Sequence, residues 1–219
     1  MTRIAQYVSW IVGLGLNVLV IRAMLHGAYR EYRLAFGYTV ALLLTTVIEI
    51  AAKTGPRVVH WNVYYWIDDI VLNILVFCVV IAFIDGAAKY ATRRPVQRRW
   101  LIAGAAAICV ISLLAHAGSP RLNSRMTLVS RDLNACAVVL DLILWSVLVT
   151  SRKPERRLLL LSGGLGIQLT GAIIGEELSG KFRSAVFAAS LLEVVTYLVA
   201  LYIWWRAFRL PKNYQQAAP

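Results

Sequence analysis

The chain has 219 residues, of which 59% are hydrophobic and 16% charged, and its mean hydropathy is +0.66. A soluble domain carries about 45–50% apolar and about 25% charged residues, so an ordinary soluble globule is excluded. The net charge of +12 suggests nucleic acid at first sight, but in so apolar a chain the basic residues read as topology signals instead.

Apolar runs separated by charged or Pro/Gly-bearing breaks predict seven membrane-spanning helices in one all-α bundle. They cover Ala5–His26, Leu34–Ala52, Trp61–Ile84, Trp100–Ala117, Asp132–Thr150, Leu158–Gly175 and Ala185–Trp205. Each is long enough to cross roughly 30 Å of hydrocarbon as a helix. The short connections suit antiparallel neighbours. The first run is followed by more positive charge than precedes it and shows no small-residue cleavage site, so it reads as a retained helix rather than a signal peptide. Residues 1–206 form the transmembrane domain and 207–219 a short tail.

Orientation follows from the basic residues. Fifteen Lys and Arg fall on one face, including Arg22, Arg30, Arg33, Arg93, Arg94, Arg156, Arg157, Arg206 and Arg209, against eight on the other. The richer face is expected to be cytoplasmic. An odd number of spans then sets the N-terminus outside and the tail in the cytoplasm, in a plasma membrane such as a bacterial inner membrane. Only Glu31, Asp85 and Glu155 offset the inner bases, so the whole net charge belongs to that face. Anionic lipid headgroups are a sufficient partner, and nucleic acid is not needed.

All six prolines lie outside the spans, which predicts continuous helices. The sixth span is the one to watch, since it holds five of the fourteen glycines in "SGGLGIQLTGAIIG". Gly171 and Gly175 make a GxxxG pair suited to close helix contact. No Walker lysine accompanies the run, so a phosphate loop is disfavoured. Cys78, Cys109 and Cys136 sit in apolar runs without a CxxC pair and read as small buried hydrophobes.

Ionisable groups inside a span are costly and point to function by default. Asp141 sits at the middle of the fifth span and Glu193 near the middle of the seventh. Asp68 and Asp69 lie just outward of the centre of the third, and Glu49 in the outer part of the second. Helical spacing puts polar companions on the same faces: Asn134 with Asp141, Asn73 with Asp69, Thr45 with Glu49, Thr196 and Tyr197 with Glu193. Asn17 and Gln168 are further inward-facing candidates. The expected result is a polar, acid-rich cavity in the outer half, lined by Glu49, Asp68, Asp69, Asn73, Asn134, Asp141, Gln168, Glu193 and Tyr197. The plainer reading is interhelical hydrogen bonding that only fixes the packing.

If ionised, such a cavity favours a cation, and Trp61, Tyr64, Tyr65 and Trp66 precede the Asp68–Asp69 pair. These aromatics equally suit an interfacial belt. His26, His60 and His116 show neither HxxxH nor HExxH spacing, so no metal or other cofactor is expected.

The topology resembles the rhodopsin and receptor superfamilies. The seventh span, "AVFAASLLEVVTYLVALYIWW", lacks the lysine that a retinal Schiff base needs. The histidines do not match seven-helix zinc hydrolases such as ceramidases. The stretch Ser151–Gly171, "SRKPERRLLLLSGGLGIQLTG", resembles segments of bacterial seven-helix membrane proteins and brings no mechanism with it. The general shape is similar to the seven-helix sensor regions of bacterial histidine kinases, although no kinase follows here. The acid-rich cavity and the basic inner loops favour a non-enzymatic sensor or ligand-binding module that takes a small molecule, lipid or cation from the outer side and signals through a separate membrane partner. A proton- or cation-coupled transporter or channel is the alternative. An intramembrane lipid enzyme and a scaffold subunit are weaker readings, since no nucleophile or metal motif accompanies the carboxylates.

Overall fold

The computed structural model describes residues 3–54, 61–90, 122–150, 156–182 and 185–210, together with isolated positions between 107 and 115. The described residues form six long helices and no strand: α1 (Arg3–Ala23), α2 (Arg33–Thr54), α3 (Trp61–Tyr90), α4 (Leu122–Thr150), α5 (Arg156–Lys181) and α6 (Val186–Arg209). The expected fourth span, Trp100–Ala117, falls almost wholly outside them, as do Cys109, His60, His116 and the tail beyond Leu210. Among the described residues five stretches are long and apolar enough to cross a membrane: Val8–Ala28, Arg33–Ala51, Ile70–Ala87, Arg156–Lys181 and Val186–Arg209.

The helices outrun the apolar runs that announce them. α3 continues six residues past Ile84 and α4 begins ten residues before Asp132. Hydropathy marks the length of hydrocarbon, whereas polar flanks such as "LNSRMTLVSR" keep their backbone bonds and extend the helix into the headgroup layer.

The bundle has an apolar core that encloses a few polar side chains, and its outside is apolar as well. Asn17, Thr39, Asn73, Asp141 and Ser162 are buried, while Ile11, Leu44, Ile74, Leu142, Ile143 and Phe187 lie on the surface. In water such a surface would be an association liability. In lipid it is the expected exterior, and this is the build of a multi-pass membrane protein.

Neighbouring helices close a ring in which each packs on the next in sequence and α6 returns to α1, with a further contact between α3 and α5. Side-chain pairs fix the directions. Asn17 and Gly13 of α1 meet Tyr197 of α6, while Arg22 and His26 lie beside Trp205 and Arg209, so α1 and α6 run parallel. In α5, Arg157 meets Ala207 and Gly175 meets Glu193, so α5 runs antiparallel to α6. Arg131 pairs with Glu177 and Asp141 with Ser162, which makes α4 antiparallel to α5. Phe83 and Gly86 of α3 lie level with Trp204 and Leu158, so α3 ends where α5 begins. α1, α3, α4 and α6 thus point one way, and α2 and α5 the other.

α5 is the most enclosed of the apolar stretches, with 44% of it buried against 17–39% for the others. Its glycines allow this. A Cβ on Gly164 would sit 2.8 Å from Trp204, one on Gly166 2.6 Å from the Asp141 carboxylate, and one on Gly171 2.6 Å from Thr196 side-chain carbons. Gly175 lies directly under the Glu193 carboxyl. The helix is nonetheless unbroken from Arg156 to Lys181; the glycines serve close approach and do not interrupt it.

The departure from regular helix falls instead at the end of α1. Met24–Ala28 form a widened turn, closed by Tyr29 N–H to Met24 O at 2.9 Å, in which Gly27 has φ of 130°. That conformation is open to glycine and strained for other residues. The turn hands the chain to α2 without proline.

An aromatic group fills the same end of the bundle. Trp204 makes angled ring contacts with Tyr38 and Phe83, and Tyr32 with Phe83 and Phe208. Trp204 is buried and donates its indole N–H to the Leu161 carbonyl at 2.9 Å, which satisfies the polar atom of an otherwise apolar anchor.

Candidate functional site

Polar side chains meet in a layer near the middle of the apolar stretches. Asn17 of α1 is fully buried; its Nδ2 donates to Gly13 O at 3.1 Å and to the Tyr197 hydroxyl at 2.5 Å. The Tyr197 hydroxyl also bonds the Thr46 side chain on α2, and Thr46 Oγ1 donates to Leu42 O at 2.8 Å. One hydroxyl proton each on Tyr197 and Thr46 then orders the chain as Asn17 to Tyr197 to Thr46 to Leu42 O.

Beside this relay, Gln168 of α5 donates to the hydroxyl of Tyr38 on α2 at 2.9 Å. Tyr38 is buried. Four helices, α1, α2, α5 and α6, are therefore tied through five polar side chains.

One acceptor in the layer stands apart. Asn17 Oδ1 is buried and has no hydrogen-bond partner among the described residues. Buried acceptors are paired in the great majority of cases, so this carbonyl is the point at which a donor from a ligand, or a rearranged helix, finds an unmet bond.

A second polar contact lies on the far side of α5. Asp141, only 2% exposed, accepts a hydrogen bond from Ser162 Oγ at 2.8 Å, and its other carboxyl oxygen rests against Gly166. Ser162 and Gly166 are one turn apart, so they present α5 to α4 as a shallow seat shaped for a carboxyl group.

The nine expected site residues divide accordingly. Gln168 and Tyr197 belong to the central layer, and Asp141 to the α4–α5 seam. Asn73 is buried on α3, with Glu49, Asp68 and Asn134 half-buried on their own helices. Glu193 is exposed at the α5–α6 edge over Gly175. Asp69 is on α3, but its side chain falls outside the description, as do those of Trp61, Tyr64, Tyr65 and Trp66. Among the described residues no group of His, Cys, Asp and Glu is arranged to hold a metal ion.

Tyr38, Thr46 and Ser162 complete the contacts and were not among the expected residues. Thr46 is adjacent to Thr45, which was singled out for its spacing from Glu49, yet it is Thr46 that reaches the bundle interior. Tyr38 looks from sequence like an interfacial aromatic, and Ser162 like one more small residue in a glycine run. Their only signal is a hydroxyl inside an apolar span.

At the end where α1 and α6 finish, a cavity of about 510 Å³ opens between them, lined in part by Arg22, His26 and Arg209. It lies at the opposite end from the Arg131–Glu177 pair and is separate from the polar layer.

No protein family, curated protein or solved structure matches the chain.

Proposed function

We propose that this protein is a non-enzymatic membrane sensor or ligand-binding module, with its ligand admitted from the acid-bearing half and its response passed to a separate partner at the basic face. The observation that carries the reading is the unmet Asn17 carbonyl inside a hydrogen-bond layer joining four helices. A donor that reaches Oδ1 gains a bond, and its preference for one arrangement of the layer shifts the packing of α1, α2, α5 and α6 together. Unequal affinity for two packings is all that such a switch requires.

The same proposal includes seven crossings with the N-terminus outside. α3 ends at one end of the bundle and α4 starts at the other, which accords with a further crossing between them. The basic residues Arg22, Arg30, Arg33, Arg156, Arg157, Arg206 and Arg209 favour the cytoplasm for the end where α1 and α6 finish.

The test is a thermal-shift and co-purification survey of cations, small metabolites and lipids on wild type, Asp141→Asn and Tyr197→Phe in detergent. At least one compound should raise the wild-type Tm, with a smaller rise in Tyr197→Phe. Absence of any shift across the panel would remove the reading. A proton- or cation-coupled transporter is the second reading, favoured by the enclosed Asp141 carboxyl against Ser162. It requires flux into proteoliposomes that falls sharply in Asp141→Asn.

A further inference from the structure

The cavity at the basic end has the chemistry of a lipid site. Its polar side is made by Arg22 of α1, His26 of the widened turn and Arg209 of α6, and its apolar side by Leu19, Ala23 and Phe208. Its volume of about 510 Å³ is in the range of small-molecule pockets, about 300–1,000 Å³. Among the described residues neither arginine has an acidic partner, so the cavity presents two arginine charges to an incoming anion.

Two of these groups are held in place, the His26 ring and the Arg209 guanidinium. His26 Nδ1 donates to the Arg22 carbonyl at 2.7 Å, which fixes the ring across the widened turn at Gly27. The Arg209 guanidinium stacks 4.8 Å from the centre of the Trp205 ring. Stacking uses the face of the guanidinium and leaves its N–H edge for an oxyanion. The two arginines thus line, from separate helices, a space that no carboxylate of the described residues lines.

The apolar wall continues away from this charge. Leu19 is 40% exposed, and Val12, Val18, Val195, Val199 and Tyr202 are exposed further along the same two helices. The cavity therefore stands where the apolar flank of the bundle meets its basic end. A soluble anion would use the arginines and leave the flank bare, whereas a phospholipid uses both.

We propose that the groove between α1 and α6 binds one anionic phospholipid, its phosphate between Arg22 and Arg209 and its acyl chains along the exposed flank. Basic pockets between membrane helices commonly recognise such headgroups. The inference rests on the membrane-spanning character of the helices and is independent of any ligand in the polar layer.

Native mass spectrometry of the full chain, titrated with phosphatidylglycerol or phosphatidylcholine, reads the site directly. Phosphatidylglycerol should bind with a defined stoichiometry and preference, and Arg22→Gln/Arg209→Gln should weaken it about tenfold or more, as expected for two surface charges. Arg206→Gln, which removes a charge of the same end outside the cavity, should change it less than about twofold. Ala23→Trp fills the groove and should also abolish the preference, which covers the case in which the double variant fails to fold. Equal lipid preference in wild type and Ala23→Trp would overturn the site. Displacement of the lipid by glycerol phosphate at matched concentration would overturn the lipid assignment in favour of a soluble phosphate ligand.

Discussion

Ser162 and Asp141 meet across the α4–α5 seam at 2.8 Å, with both side chains almost completely enclosed. Neither has a sequence neighbour that announces the other, and the contact depends on Gly166 leaving room for the second carboxyl oxygen. Ser162→Ala is expected to lower stability by about 1 kcal/mol, in line with hydrogen bonds in membrane bundles. Asp141→Asn keeps an acceptor for Ser162 and should cost less. A double-mutant cycle on thermal unfolding in detergent measures the coupling, and additive single effects would show that the two side chains do not interact.

The glycines of α5 make a sharper contrast. Gly171→Ala places a methyl carbon against Thr196, and the resulting strain or separation of α5 from α6 should cost about 1–3 kcal/mol. Gly15 and Gly37 have nothing within 4 Å of an added Cβ, so Gly15→Ala and Gly37→Ala should be neutral or stabilise by up to about 1 kcal/mol. Thermal midpoints of the three variants in one detergent decide it; equal losses at all three positions would contradict the packing described.

Arg157 is buried and donates to Ala207 O at 3.2 Å and Leu210 O at 2.7 Å. These carbonyls lie at the end of α6, where a helix has no partners of its own for them. Arg157→Gln should fray that end. Amide exchange around the last turn of α6 should speed up about tenfold, the equivalent of about 1.4 kcal/mol, with little change in α1. Uniform acceleration across the molecule would mean that Arg157 stabilises the bundle globally rather than closing one helix.

Tyr197→Phe removes the hydroxyl between Asn17 and Thr46. The Asn17 amide loses an acceptor next to a carbonyl that has no partner among the described residues, and the expected cost is about 1–3 kcal/mol. Asn17→Leu, which removes the whole polar side chain, should be milder in a Tyr197→Phe background than alone. Urea or thermal unfolding of the pair and the singles checks this ordering.

Much of the fold was legible because hydrocarbon thickness imposes it. Every apolar run that falls among the described residues is helical, and without proline the helices stay unbroken except for the first run, which leaves regular helix at Met24–Ala28. Partnership between side chains was less legible. Asp141 and Gln168 stood out as polar groups in apolar surroundings, yet their partners, Ser162 and Tyr38, are set by which faces of α4, α5 and α2 meet. Arg157 shows the limit well: by composition it is one more positive charge at the basic face, and only the arrival of α6 beside it makes it a cap. The kink at Gly27 was hidden for a related reason, since a glycine at the edge of an apolar run does not reveal whether its φ is positive.

Because α1 and α6 run side by side in the same direction, the head of the first helix and the foot of the last are a full bundle length apart. Halves of a split fluorescent protein fused at those two points cannot rejoin within one molecule. Light from such a double fusion would report contact between oppositely inserted copies, while the paired single fusions would reveal which compartment each end faces.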